Sequence, residues 1–175
     1  MNAVFYASAA IAIAATLMAI TRLNAVHALL YLIVSLLAVA VIFYVLGAQF
    51  VAALEVIIYA GAIMVLFVFA VMMLGLTPQS IAEEELWFLS PGVWVGPAVL
   101  AAILLGELIF ILVSGSGQAA GVQIIDPKQF GITLFGPYLL GVELASLLLL
   151  AGLVGAYHLG RRVPGEPGGR PGEEE

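Results

Sequence analysis

The sequence contains no cysteine and only two histidines. Without cysteine the chain has no disulfide framework, no thiolate metal site and no cysteine ligands for an iron–sulfur cluster. His27 and His158 lie far apart in the sequence, and the acidic residues are scattered. The residues therefore offer no convincing set of metal ligands.

Charged residues are also scarce. They make up 9% of the 175 residues, against 64% hydrophobic residues, and the mean hydropathy is +1.21. A soluble domain carries about 25% charged residues, so this chain has too few to cover a water-facing surface. The composition predicts an integral membrane protein whose surroundings are the lipid bilayer.

The few charges that are present favour no soluble partner. Much of the net charge of −6 sits in the clusters Glu83–Glu85 and Glu173–Glu175, outside the apolar runs, and we interpret both as solvated charge. No basic patch points to a nucleic-acid partner. Residues 1–20 lack a basic segment before their apolar run, so we interpret them as a retained first span and not as a signal peptide.

Five apolar runs are long enough to cross the membrane as helices, since about 20 residues cross a hydrocarbon core of about 30 Å. The fold class predicted is an all-α integral membrane protein, with residues 1–162 forming one transmembrane domain and residues 163–175, rich in proline, glycine and glutamate, forming a disordered tail. The predicted spans are residues 3–20, 25–46, 51–74, 93–113 and 138–159.

The connections carry residues that end helices. Gly47 lies in a tight second turn. In the third connection Ser80 and Glu83 have the spacing of a capping box, which favours a short interfacial helix through Trp87 and Phe88. The fourth connection, residues 114–137, is rich in glycine and contains Asp126 followed by Pro127.

The basic residues predict the orientation. Arg22 lies in the first connection, and Arg161, Arg162 and Arg170 follow the last span, whereas the opposite side has only Lys128. Because lysine and arginine are enriched on the cytoplasmic side, the N-terminus is predicted to face outside and the C-terminus to face the cytoplasm.

Three glutamates, Glu55, Glu107 and Glu143, fall inside the spans. At about 1.5 Å per residue, all three lie roughly 6–9 Å below the outer face. An ionised carboxylate there costs a few kcal/mol, so each group is protonated, reaches the nearby headgroups, or faces a polar partner. Partners on this chain look scarce, so we expect them from another subunit or from water. Interfacial packing and proton handling both stay open for these residues.

Tyr59 and Gly61 follow Glu55 in the third span, "LEVIIYAGAIMVLFVFAVMM". Tyr59 lies four residues after Glu55, on the same helical face. Gly61 permits either close helix packing or a local departure from α-helical geometry, such as a π-bulge. From the residues alone, Met64 is interpreted as adaptable packing, and His27 as a residue with a structural hydrogen bond.

Two long stretches resemble a known family, subunit J of the bacterial proton-pumping NADH–quinone oxidoreductase, respiratory complex I. They are "NAVHALLYLIVSLLAVAVIFYVLGAQFVAALEVIIYAGAIMVLFVFAVMML", residues 24–74, and "GITLFGPYLLGVELASLLLLAGLVGAYHLGRR", residues 131–162. The resemblance implies a five-helix subunit of the membrane arm in the bacterial cytoplasmic (inner) membrane. Its expected partners are subunits K, A, H and N.

The resemblance also implies how the chain works. It predicts no cofactor on this chain, while the complex uses FMN, iron–sulfur clusters and quinone. It places a π-bulge near Tyr59 and Gly61, forming and relaxing during turnover to open or close a water path. The hinge residues it implies are Glu55, Tyr59, Gly61, Met64 and Val65. Glu55 and Glu143 match acidic positions of the family, whereas Glu107 falls where the family has apolar residues.

Two other functions stay open from the sequence. One is a small membrane subunit of a related cation/proton antiporter or membrane-bound hydrogenase. The other is a purely structural helix bundle that holds other subunits in register.

Overall fold

The computed structural model describes residues 2–74, 91–113 and 124–160. These residues form helices and short connections, with no β-strand among them. Contacts divide the chain into two units, Met1–Asp126 and Pro127–Glu175, each of which is described by itself. The first unit contains α1 (Asn2–Thr21), α2 (Ala25–Val45), α3 (Gln49–Leu54), a π-helix (Glu55–Ile63), α4 (Met64–Leu74) and α5 (Pro91–Val113). The second contains α6 (Pro127–Leu134) and α7 (Leu139–Gly160).

Five helices in the described ranges are long and apolar enough to cross a membrane, which confirms the predicted number of spans. Each begins and ends within about two residues of the prediction, because apolar length alone sets these limits. The third span, Gln49–Met73, is one continuous helix built from α3, the π-helix and α4. The proposed interfacial helix, both acidic clusters and the tail lie outside the described residues.

The residues between the spans fix how α2 starts and stops. Asn24 caps its first turn, because its side chain accepts a hydrogen bond of 3.1 Å from the His27 backbone N–H. After α2, Gly47 adopts a positive φ of 83°, which glycine does without steric cost. The Gly47 and Ala48 N–H groups donate to the carbonyls of Tyr44 and Phe43, the Schellman pattern that ends a helix. The tight second turn predicted at Gly47 is therefore confirmed.

The core of the first unit lies between α1, α2 and α5. Two hydrogen bonds among the described residues join α1 and α2: the Thr16 and Ser35 hydroxyls lie 2.8 Å apart, and Ser35 Oγ donates to the Ala12 carbonyl at 3.1 Å. Such bonds hold helices together where no water competes. The buried residues of this core are Ile11, Ala15, Val34, Ala38, Val41, Val45, Leu104 and Ile111.

Helix α5 carries two features that apolar length does not reveal. Pro97 lies inside the helix and lacks the N–H that would bond the carbonyl four residues earlier. Beside it, Gly96 faces the Tyr31 side chain of α2 so closely that an added Cβ would overlap the tyrosine hydroxyl. A residue larger than glycine at position 96 would therefore require the Tyr31 side chain to move.

In the second unit, α6 begins at Pro127 and is a helix the sequence analysis did not predict. Proline is favourable in the first turn, where its missing N–H has no helical partner to lose. Residues 135–138 form the turn to α7, with the Leu139 N–H donating to the Gly136 carbonyl at 3.2 Å. Of the glycines in the fourth connection, Gly131 lies within the short helix and Gly136 within the turn.

Candidate functional site

The third span changes its backbone geometry around Tyr59 and Gly61, where a π-bulge was predicted. The Glu55 N–H is shared between the carbonyls of Ala52 and Val51, three and four residues back, and the bond to Val51 is the one an α-helix makes. The Met64 N–H is shared between the carbonyls of Gly61 and Tyr59, three and five residues back, and the bond to Tyr59 is the one a π-helix makes. The π-helix runs for nine residues, Glu55–Ile63, longer than the single turn usual for this geometry.

Gly61 lies inside this π-helix, in close contact with its backbone. A Cβ built at Gly61 would lie 3.0 Å from the carbonyl oxygen of Val56, the residue five positions earlier. That distance is shorter than an ordinary van der Waals contact. Any larger residue at position 61 would therefore crowd the carbonyl that the π-helical hydrogen bond uses.

Glu55 and Tyr59 both leave their polar atoms available to other molecules. Tyr59 is 52% exposed and Glu55 is half-buried. No hydrogen bond to either side chain comes from the described residues. The structure therefore does not join this predicted pair directly, and whatever satisfies these groups lies outside the described part of the chain.

Met64 and Val65, the next two residues, face opposite surroundings. Met64 is buried, with 7% of its surface exposed, whereas Val65 is 63% exposed. They follow the π-helix immediately, in the first turn of α4.

Glu107 has a partner within this chain, which corrects the expectation that partners come from outside. The Ser8 hydroxyl of α1 donates to Glu107 Oε2 at 2.7 Å. Ser8 is completely buried and Glu107 is half-buried. The sequence did not indicate Ser8, because a serine 99 residues away becomes a candidate only once α1 and α5 are known to be neighbours. The antiparallel spans give the available signal, since both residues lie six positions from one membrane face.

Glu143 lies on α7, in the second unit, with an exposed side chain. The Ser146 hydroxyl donates to the Glu143 backbone carbonyl at 2.7 Å, so the serine does not engage the carboxylate. No other described residue bonds that carboxylate. Glu143 therefore presents its charge-bearing group outward from α7.

His27 differs in part from its predicted role. Its backbone N–H makes the capping bond to Asn24, and its ring packs against Tyr31 with centroids 5.0 Å apart. The ring atom Nε2, however, is buried with no hydrogen-bond partner among the described residues. The predicted structural hydrogen bond is therefore made by the backbone and not by this ring nitrogen.

The chain is similar to known proteins over most of its length, including the third span. A family model described as NADH-ubiquinone/plastoquinone oxidoreductase chain 6 matches residues 15–159. NADH-quinone oxidoreductase subunit J of Pseudomonas aeruginosa is 58% identical over 163 residues, covering 93% of this chain and 98% of that protein. Subunit J of Escherichia coli K12 is 56% identical over 161 residues, covering 92% and 87%. The chain belongs to the subunit J family of NADH–quinone oxidoreductase.

More distant members of the subunit J family match over a similar length. The protein of Buchnera aphidicola subsp. Schizaphis graminum is 48% identical over 161 residues, which cover 92% of this chain and 98% of that protein. The chain is thus a multi-pass membrane protein and a subunit of the enzyme complex, with other complex I subunits as its partners. The described residues contain no group of three or more acidic or histidine residues placed to hold a metal. The predicted lack of a cofactor on this chain stays a prediction.

Proposed function

We propose that this subunit couples quinone reduction to proton translocation in the membrane arm, and that the third span is the moving part. The observation that carries the proposal is the nine-residue π-helix inside a membrane-spanning helix. A π-helix is rare and is frequently found at functional sites. The chain itself contributes no redox chemistry in this proposal. It moves in response to chemistry elsewhere in the complex.

The motion is a change between π- and α-helical bonding of Glu55–Ile63. Replacing a bond to the fifth preceding residue by one to the fourth shifts the helix register by one residue, which is about 100° of rotation. Such a rotation turns Met64 out of its buried position and reorients Val65. The two forms differ in which side chains are buried and which are exposed. The surface in contact with neighbouring subunits therefore differs between them.

Gly61 keeps both forms accessible. A Cβ at this position would press on the Val56 carbonyl in the π form. Glycine also costs roughly 1 kcal/mol relative to alanine in an α-helix. Both effects keep the α form from dominating. Two forms that are both used must differ by only a few kcal/mol.

The carboxylates are proposed to line the route that the motion opens. Glu55 is at the start of the π-helix, so the register change moves the backbone beside it. Glu143 and Glu107 are further candidates for proton handling, and Ser8 stabilises the carboxylate of Glu107 by its hydrogen bond. Subunits K, A, H and N are the proposed neighbours, in the bacterial inner membrane.

A Gly61→Leu substitution tests the proposal. Leucine adds bulk against a close contact, where overpacking costs about 1–3 kcal/mol, enough to trap one form. We expect the Gly61→Leu complex to assemble and to oxidise NADH with artificial electron acceptors, because that reaction bypasses the membrane arm. It loses quinone-linked turnover and proton pumping, each measured in inverted membrane vesicles.

Gly106→Leu in α5 is the matched control, because an added Cβ there meets nothing within 4 Å. Both activities are expected to survive in the control. A Gly61→Leu complex that assembles and pumps at the parental rate would overturn the switch. Loss of assembly and of all activities together would favour the purely structural bundle. The family membership disfavours the antiporter or hydrogenase alternative.

A further inference from the structure

The peptide unit between Gly47 and Ala48, in the turn before the third span, is held from two sides. Its N–H group, that of Ala48, donates to the Phe43 carbonyl of α2 at 3.0 Å. Its carbonyl, that of Gly47, accepts a hydrogen bond of 3.2 Å from the Ile125 N–H, which belongs to the fourth connection. We call this pair of bonds the Gly47–Ala48 clamp. The bond to Phe43 is usual where a helix ends on glycine, whereas the bond from Ile125 is an addition to that pattern.

The clamp adjoins the first helix of the third span. Residues 46–48 are all that separate α2 from α3. The Ala48 carbonyl accepts the first α3 bond, from the Ala52 N–H at 2.9 Å, and Ala52 is buried. The position of the clamped peptide therefore fixes the rotation of α3 about its own axis.

A much longer connection follows the other end of the third span. Residues 75–90, sixteen in all, separate α4 from α5. Between positions 64 and 73 of α4, Met64 is the only buried residue. A rotation of α4 therefore disturbs one buried side chain and no tight turn.

The size of the proposed register change decides which half of the third span turns. The change rotates α3 and α4 by about 100° relative to each other. Backbone Cα atoms lie about 2.3 Å from a helix axis, so this rotation moves each of them by roughly 3.5 Å. Such a shift at the start of α3 would break clamp bonds that are 3.0 and 3.2 Å long. A rotation of α4 breaks neither of them.

We propose that Ile125 is a positioning residue, whose backbone N–H completes the clamp and keeps α3 fixed while α4 turns. The inference rests on the switch of the third span proposed above. Without the Ile125 bond the Gly47 carbonyl is free to reorient, and the relative rotation is shared between α3 and α4. Met64 then completes only part of its movement.

Amide hydrogen exchange of the whole complex tests the clamp without any substitution. The complex is sampled at rest and during turnover with NADH and quinone, and single-residue exchange is read by fragmentation mass spectrometry. The Ile124 N–H, which bonds no described residue, is the internal reference. After correction for sequence, the Ile125 amide should exchange about fivefold more slowly than that of Ile124 in both conditions, the protection that one hydrogen bond gives.

Two substitutions test the positioning role. Ile125→Pro removes the N–H donor, and Ile125→Val is the matched control because it keeps the donor and the β-branched side chain. Ile125→Pro should lower the number of protons pumped per NADH oxidised about twofold, because α3 and α4 then share the rotation. Ile125→Val should keep the parental ratio. A merely structural defect would lower NADH oxidation and pumping together and leave that ratio unchanged.

Three results would overturn the role of Ile125. They are an Ile125 amide that exchanges as fast as that of Ile124 at rest, protection that disappears during turnover, and a parental ratio in assembled Ile125→Pro. If Ile125→Pro does not assemble, the exchange measurement decides. The switch itself fails separately, when Gly61→Leu pumps at the parental rate, whether or not the Ile125 amide is protected.

Discussion

At the scale of single residues, Gly61 and the three glutamates differ in how well their environment explains them. Gly61 is explained by geometry, since a Cβ would lie 3.0 Å from the Val56 carbonyl. Glu107 is explained by the Ser8 hydrogen bond. Glu55 and Glu143 have no such bond from described residues, so their roles depend on neighbouring molecules or water.

Removing the charge of Glu55 or Glu143 should reduce pumping only moderately. Both are predicted to lie roughly 6–9 Å from the outer face, where water can replace a missing carboxylate. An obligatory proton-transfer group contributes about 10²–10⁴-fold, so each single Glu→Gln variant should lose less than about tenfold. The measurement is NADH-driven proton uptake by inverted vesicles at equal complex content. Complete loss in either assembled variant would make that glutamate essential and contradict the expectation.

At the scale of helices, the sequence predicted much of the third span but not its hydrogen bonding. Apolar length placed its ends to within about two residues, since the membrane sets that length. The residue types of this apolar segment could not reveal the π-helix. They are equally compatible with backbone N–H groups that bond the fourth or the fifth preceding carbonyl. Gly61 permitted the departure, and the family resemblance located it. The bulge is present in the structure at the predicted place, and its switching stays a prediction.

Helix pairing shows the same limit. The antiparallel order of spans was predictable, yet the approach of Tyr31 to Gly96 and of Ser8 to Glu107 was not, because both need the rotation of each helix about its axis. Helix α6 was missed because a glycine-rich connection favours loop and Pro127 was taken as a helix breaker when it starts a helix.

Ser8→Ala should loosen the contact between α1 and α5. A hydrogen bond between membrane helices contributes about 0.6 kcal/mol and at most about 1.7 kcal/mol, and the lone carboxylate left half-buried adds to the cost. The membrane arm of the solubilised complex should therefore denature at a lower temperature. Thr21→Ala is the control, since among the described residues the Thr21 hydroxyl bonds only the Leu17 and Met18 carbonyls of its own helix. Equal denaturation temperatures for Ser8→Ala and the parent would show that the bond does not hold these helices.

At the scale of the whole molecule, the predicted topology follows from four arginines on one side against one lysine on the other. A fluorescent protein fused after Arg162 should be active, because that position is predicted to be cytoplasmic. Alkaline phosphatase inserted within residues 115–123 should be active, because that position is predicted to lie outside. Exchanging the two reporters should give the opposite readouts, which controls for expression. A cytoplasmic signal from the insertion at residues 115–123 would reverse the assignment.

The exposed apolar side chains fit a subunit that works among others. Many large apolar side chains of α4 and α7 are exposed in the isolated chain. Lipid or other complex I subunits cover such surfaces in the membrane. In the proposed mechanism, a rotation of α4 would change the surface that these partners contact.

The most direct test of that mechanism is the hydrogen bond of one amide. Cryo-electron microscopy of the complete complex, frozen at rest and during turnover with NADH and quinone, resolves the acceptor of the Met64 N–H. The account predicts two classes of particles: one with the bond to Tyr59, as seen here, and one with the bond to Ala60 and Met64 rotated out of its buried position. If every class during turnover retains the bond to Tyr59, the third span does not switch and the account is wrong.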